Sequence, residues 1–187
     1  LGYRTEIFMD VVRIARLHGD DILPLAWKYY RQAKHEYERI LMLSLFCFNG
    51  GGRYIPQLLQ DYTAPETPED RRAVIAQCVF ENRAEEYADE YVKIMAGKRY
   101  GQSRQAFVLL AGELKLENAV PVLIKLLDEG DFRLHALVAL SAYRREDFRP
   151  YFLRFKNSED LQIRQAAIMA LQKLSQAWGK HGGNQGQ

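Results

Sequence analysis

Apolar side chains recur three and four residues apart along most of the chain, in segments divided by short polar breaks. That spacing gathers them on one face of a helix. The segments predict about eleven helices, near 4–18, 21–34, 36–48, 53–62, 68–81, 84–96, 103–115, 118–128, 131–143, 147–156 and 160–177, and no strand. The stretch LENAVPVLIKLLDEGDFRLHALVAL, Leu116 to Leu140, reads as one helix, a short turn and a second helix. Neither helix can bury its apolar face alone, so each pair needs a neighbour.

The pattern repeats. Arg39, Arg72, Arg104, Arg133 and Arg164 each open a helix, at spacings of 33, 32, 29 and 31. Seventeen residues after three of them come Pro56, Pro121 and Pro150; Asp89 holds that place after Arg72, and an earlier copy carries Pro24. Three residues past each arginine stand Met42, Ile75, Phe107, Ala136 and Ala167, and seven past stand Phe46, Val79, Ala111, Leu140 and Leu171. In the proline-bearing helices an apolar column, Trp27, Leu59, Val92, Ile124 and Leu153, adjoins a polar one, Lys28, Gln60, Lys93, Lys125 and Arg154. A period near thirty residues with these columns predicts stacked amphipathic helix pairs. Thr67-Pro68-Glu69-Asp70 reads as an N-cap, a first-turn proline and acids over the helix dipole. Gly50-Gly51-Gly52 reads as a loop, with neither the strand nor the lysine of a phosphate-binding loop.

Residues Ala111 to Ile124, AGELKLENAVPVLI, resemble the helix-to-helix segment of HEAT-like repeats, in the short bacterial form also found in phycobilin lyases. Asp160 to Leu171, DLQIRQAAIMAL, resembles that family's second-helix signature in its aspartate, arginine and alanines. The likeness is strongest over 101–174; over 20–100 bulkier residues such as Met42, Leu45, Ile75 and Cys78 replace the alanines. It implies an all-α fold, a right-handed α-α superhelix of about five repeats whose second helices line a concave side. Positions 1–178 are then one repeat domain and 179–187 a disordered tail. The arginine column resembles the family's Asp/Arg ladder between repeats; the alternative is a row of guanidiniums, Arg104, Arg133 and Arg164, offered to an anion.

Composition narrows the function classes. With 48% hydrophobic and 27% charged residues the chain is of ordinary globular make-up, and a net charge of +2 gives no electrostatic case for nucleic acid or an anionic membrane. The longest largely apolar run, Ile40 to Phe48, is about half a membrane span, and no signal-peptide pattern is visible. The chain opens on Leu1 rather than Met, which leaves room for an upstream anchor or domain. Cys47 and Cys78 sit in apolar helical patterns and read as buried thiols, which fits a reducing, cytoplasmic setting.

Chemistry is sparse. None of His18, His35, His135 and His181 has a histidine or cysteine at metal spacing, so no metal or cofactor is expected. The single His35-Glu36 pair falls short of the several that HEAT-repeat deoxyhypusine hydroxylases place around a di-iron site. No nucleophile-base grouping stands out, and Glu85-Glu86 and Glu146-Asp147 sit at expected helix starts, where they complement the dipole. The aromatic residues follow the packing period and read as core rather than as the base-gripping set of HEAT-like DNA glycosylases.

One departure from the repeat stands out. Positions one and five past each arginine are expected on the concave side, where repeats of this type are usually polar. Here Leu109, Leu134, Val138 and Met169 form an apolar strip there, flanked by Gln105 and Gln165. Such a strip marks a binding surface for an amphipathic helix or extended segment of another protein, or is covered by the chain itself or a second copy, or is a set of scattered surface apolar residues. A basic cluster, Arg144, Arg145, Arg149, Arg154 and Lys156, is a second surface; Arg149 and Arg154 fall on or near solvated columns, so it reads first as a plain charged face and otherwise as a site for phosphate or an acidic protein. The expectation is a non-enzymatic protein-interaction scaffold. The alternative is a nucleic-acid-binding solenoid using the arginine ladder with Arg149 and Arg154. A tetrapyrrole lyase-like role rests on the resemblance alone.

Overall fold

The computed structural model describes residues 17, 22–48 and 50–179. Among them the regular structure is helical throughout, with ten α-helices and no strand. They are α1 (Leu23–Gln32), α2 (Glu36–Phe48), α3 (Ile55–Thr63), α4 (Glu69–Asn82), α5 (Ala88–Ala96), α6 (Gln105–Glu113), α7 (Val120–Leu126), α8 (Gly130–Tyr143), α9 (Arg149–Phe155) and α10 (Leu161–Gly179). Ten of the eleven expected helices are present; the one near 4–18, and the tail beyond Gly179, lie outside the described residues apart from residue 17.

Helix starts differ from expectation at the prolines. Pro24, Pro56, Pro121 and Pro150 stand in the first two positions of α1, α3, α7 and α9 rather than inside them. Short 3-10 turns at Gly51–Tyr54, Glu117–Ala119 and Glu146–Phe148 precede the last three. Proline has no N–H and a fixed φ, so it suits the first turn, where that N–H has no helical acceptor. Ahead of α4 it is Pro68 that takes the N-cap position, and the Thr67 hydroxyl donates instead to the Asp61 carbonyl at 2.6 Å.

The chain forms two compact units, Leu1–Tyr87 with Lys98–Ala106 and Ala88–Gly97 with Phe107–Gln187. In the first, α2 packs against α1 and α4, and α3 packs against α4. Leu43, Phe46, Ile55, Leu58, Tyr62, Ile75 and Val79 are wholly buried there. Trp27, half-buried, stacks against Tyr30 and meets Phe46 edge-on. Cys47 of α2 and Cys78 of α4 are joined by a disulfide, which corrects the expectation of two free thiols. Their columns bring the two helices' sulfurs together, so burial and pairing coexist. The ground for a reducing compartment is thereby removed.

In the second unit α8 packs against α7 and α10, and α9 against α10. Gly112 of α6 sits so close to α8 that a Cβ there would lie 2.5 Å from Ala139 Cα. In α3 the expected Leu59 is buried together with Leu58, but in α7 and α9 the core face is one residue earlier than the expected column. Leu58, Leu123 and Phe152 are fully buried, whereas Val92 and Ile124 are half-buried and Leu153 is exposed. The next core contacts along α7 and α9 come from Leu126 and Phe155, which centres the buried face on Leu123 and Phe152.

The sequence period recurs in the backbone. Eleven residues past successive marker arginines stand Gly50, Arg83, Lys115 and Arg144, and all four adopt positive φ, at 74°, 48°, 52° and 53°. The latter three end α4, α6 and α8 in the left-handed conformation typical of a helix C-terminus.

Candidate interaction face

The open face of the second unit is built from what its helices leave uncovered. In α8, Phe132, Ala136, Leu137, Ala139 and Leu140 are buried. Leu134 and His135 are half-buried and Val138 is 43% exposed, on a separate stripe three to four residues apart. In α6, Leu109 is half-buried between buried Val108 and Leu110. In α10, Gln165 is exposed and Met169 is 56% exposed. Helix α8 stands between the other two: Gly112 abuts Ala139, and Lys173 Nζ donates to Ser141 Oγ at 3.3 Å. So Leu109, Leu134, Val138, Met169 and Gln165 belong to three adjoining helices of one unit, with the exposed apolar area concentrated at Val138 and Met169. Gln105, half-buried, belongs to the first unit.

His135 is the titratable group beside Leu134. Burial lowers its pKa below the ordinary 6.5, and the Asp131 backbone opposes that in part. The imidazole is therefore neutral at pH 7.

The marker arginines serve the backbone. Arg39 Nη2 donates to Ala33 O at 2.8 Å, Arg72 Nη2 to Ala64 O at 2.8 Å, Arg133 Nε to Leu127 O at 2.8 Å and Arg164 Nη1 to Ser158 O at 2.8 Å. Each acceptor lies at or just past the end of the preceding helix, where carbonyls lack helical partners. Arg104, nearly buried, donates from Nε to Gly101 O at 3.1 Å. The first four guanidiniums thus tie a helix to the end of the one before it, whereas Arg104 bonds within the 3-10 segment Lys98–Arg104 that leads into its own helix.

The basic cluster is largely paired. Arg145 meets Glu117 and Asp147, both at 2.6 Å, Arg154 meets Asp128 at 2.6 Å, and Arg149 pairs with Glu146. Hydrogen bonds from Arg145 and Arg149 hold the Asp147 and Glu146 carboxyls below their ordinary range. Four carboxylates therefore offset three of the cluster's arginines, which leaves a mixed-charge surface.

Elsewhere polar groups are structural. The Glu38 carboxylate accepts from the backbone N–H groups of Lys34 and His35, at 3.2 and 3.3 Å, and so caps the start of α2. Burial pushes the Tyr62 phenol up to about 12, and its oxygen shares a 2.8 Å hydrogen bond with Ser103 Oγ. Among the described residues no group of three or more His, Cys, Asp or Glu could hold a metal ion. Among them, too, no helix is long and apolar enough to cross a membrane. His18 and His181 lie outside the described residues.

Sequence reasoning missed two features. The thirty-one-residue separation of the cysteines, one repeat period, was the available signal for their pairing. The second is on α10, where Ile168 is 40% exposed and Leu171, in a packing column, is only half-buried. No family model matches the chain, and no curated protein matches it.

Proposed function

We propose that the chain is a HEAT-like α-solenoid of about five repeats that acts as a non-enzymatic protein-interaction scaffold. Its partner supplies an amphipathic helix or extended segment to the face formed by α6, α8 and α10. One observation carries the reading: Val138 and Met169, large apolar side chains 43% and 56% exposed, stand at the same repeat position on neighbouring helices. Exposed apolar side chains on adjoining helices suit a partner's apolar stripe, and the glutamine at Gln165 suits the rim. The pairing of Arg145, Arg149 and Arg154 with carboxylates gives the nucleic-acid alternative less support.

The experiment is capture of binding proteins by wild type and by Val138→Glu, after circular dichroism shows equal helicity. Wild type is expected to retain a protein that the variant loses, with the affinity of the purified pair reduced at least about tenfold. Recovery of the same proteins by both sinks the reading. Nucleic-acid capture that weakens steeply with salt would put the alternative in its place.

A further inference from the structure

Helices α2 and α4 approach one another in the same register as α6 and α8. Eight residues past one marker arginine stand Cys47 and Gly112, and six past the next stand Cys78 and Ala139; each pair is in contact. Asn82 and Tyr143, ten past their markers, reach the carbonyls of Phe46 and Ala111 in the same two places. Between α6 and α8 the approach depends on glycine: a Cβ on Gly112 would lie 2.8 Å from Ala139 Cβ. Between α2 and α4 side chains stand on both sides, with the two Cα atoms 4.2 Å apart. Two sulfurs fit there because they share a bond. Bonded sulfurs sit about 2 Å apart, whereas unbonded heavy atoms keep about 3.5–4.0 Å, so reduction asks for roughly 1.5 Å more between them. The neighbouring turns offer no slack. Leu43, Phe46, Ile75, Cys78 and Val79 are all 0% exposed, and interiors are close-packed.

We infer that Cys47 and Cys78 form a redox switch that sets the spacing of α2 and α4. The reduced state has acceptors at hand. Cys78 Sγ lies 3.2 Å from the Leu43 carbonyl of α2, and Cys47 Sγ lies 3.9 Å from the Val74 carbonyl of α4. Each thiol formed on reduction can therefore donate across the joint. Two arrangements are provided for, a close bonded one and a wider one held by thiol–carbonyl contacts. The co-reactant is a dithiol. One of its thiolates attacks the sulfur of Cys47, the more accessible residue at 9% exposed against 0% for Cys78. The Cys47–Cys78 bond breaks, and Cys78 leaves as a thiolate that takes up a proton. The second thiol of the reductant then displaces Cys47 and closes the reductant's own disulfide, so two electrons and two protons pass to the chain. Ile40 and Ser44 of α2 and Ala73 and Gln77 of α4 ride on the helices that part, so the redox state sets the opening between them. The switch lies within the first unit and stands whether or not the Val138 and Met169 face binds a partner.

Amide hydrogen exchange of the full chain, read by mass spectrometry, tests it. Three samples are compared: the oxidised chain, the chain in dithiothreitol, and Cys47→Ala with Cys78→Ala. The alanine pair removes the bond and the sulfurs together, so its helices can stay close. Cys47→Gly with Cys78→Ala, which copies Gly112 and Ala139, is a second variant with the same expectation. Dithiothreitol is expected to raise exchange in α2 and α4 at least about tenfold over both the oxidised chain and the variants, with α7 to α9 unchanged. Glutathione disulfide is expected to restore the slow exchange. A reduced chain that exchanges no faster than the variants overturns the inference, because loss of the cross-link alone then accounts for the change. So does a bond that dithiothreitol leaves intact in the folded chain, or a reduced chain that exchanges like the oxidised one.

Discussion

The Tyr143 hydroxyl, at the end of α8, lies 3.1 Å from the carbonyl of Ala111 and 2.7 Å from that of Leu116. It thereby bridges the last turn of α6 and the loop beyond it. Asn82 holds the equivalent place in α4, ten residues past its marker arginine, and its Nδ2 lies 3.4 Å from the carbonyl of Phe46. Both side chains reach a carbonyl seven residues past the previous marker. Burial raises the Tyr143 pKa well above the ordinary 10, so the proton stays in place at any ordinary pH. Tyr143→Phe keeps the ring against Phe148 and removes the hydroxyl. It is expected to cost about 1–3 kcal/mol, since buried carbonyls lose a donor. Urea unfolding checks this, and an unchanged midpoint would show the bridge to be idle.

The Cys47–Cys78 link closes a loop of thirty-one residues between α2 and α4. By the chain-entropy account such a loop stabilises by about 3–4 kcal/mol. Dithiothreitol, or Cys47→Ser with Cys78→Ser, is expected to lower the unfolding midpoint accordingly. Alkylation followed by mass spectrometry should find both thiols blocked before reduction and both reactive after reduction and unfolding. Two alkylated cysteines in the untreated, denatured protein would refute the link.

Arg144 ends α8 at a φ of 53°, a conformation that costs a side-chain-bearing residue roughly 1–2 kcal/mol. Gly50 meets the same demand after α2, eleven residues past Arg39, without that cost. Arg144→Gly is therefore expected to stabilise by about 0.5–1 kcal/mol, despite glycine's greater entropy in the unfolded chain. Thermal melts decide it: a lower Tm would mean that Arg144 makes a contribution outweighing its strained backbone.

His135 ties stability to pH. Its folded pKa lies below 6.5, so between the two values the unfolded chain binds more protons than the folded one. Its contribution is fully present above pH 6.5 and is lost as pH falls through the lowered folded value. The wild-type unfolding free energy is expected to decline on acidification in that window, with a shallower decline for His135→Gln. Equal slopes for the two would show that other groups set the acid response.

Most of the helical layout was legible in the sequence, because helical period and punctuation are local. The arginine spacing located α2, α4, α6, α8 and α10, and four of the five markers bind carbonyls at or just past the preceding helix end. The buried face of α7 and α9 was read one residue late. The apolar Ile124 and Leu153 adjoin the wholly buried Leu123 and Phe152, and composition cannot rank neighbours that tertiary packing separates. The left-handed Arg83, Lys115 and Arg144 were illegible for a related reason: glycine signals that conformation and arginine or lysine does not. On the candidate face the apolar character was plain, but the degree of exposure was not. Leu134 and Val138 look alike in the sequence, and only Val138 stands well clear of its neighbours.

The marker arginines grip main-chain oxygens, and their acceptors belong to Ala33, Ala64, Leu127 and Ser158, residues with little in common. A carbonyl is the one acceptor that no substitution of its own residue removes. Each joint is therefore indifferent to the spelling of the loop it holds. The connecting segments can drift, lengthen or acquire new surface chemistry while the four joints stay fastened, because each is written in the main chain and not in the side chains it passes.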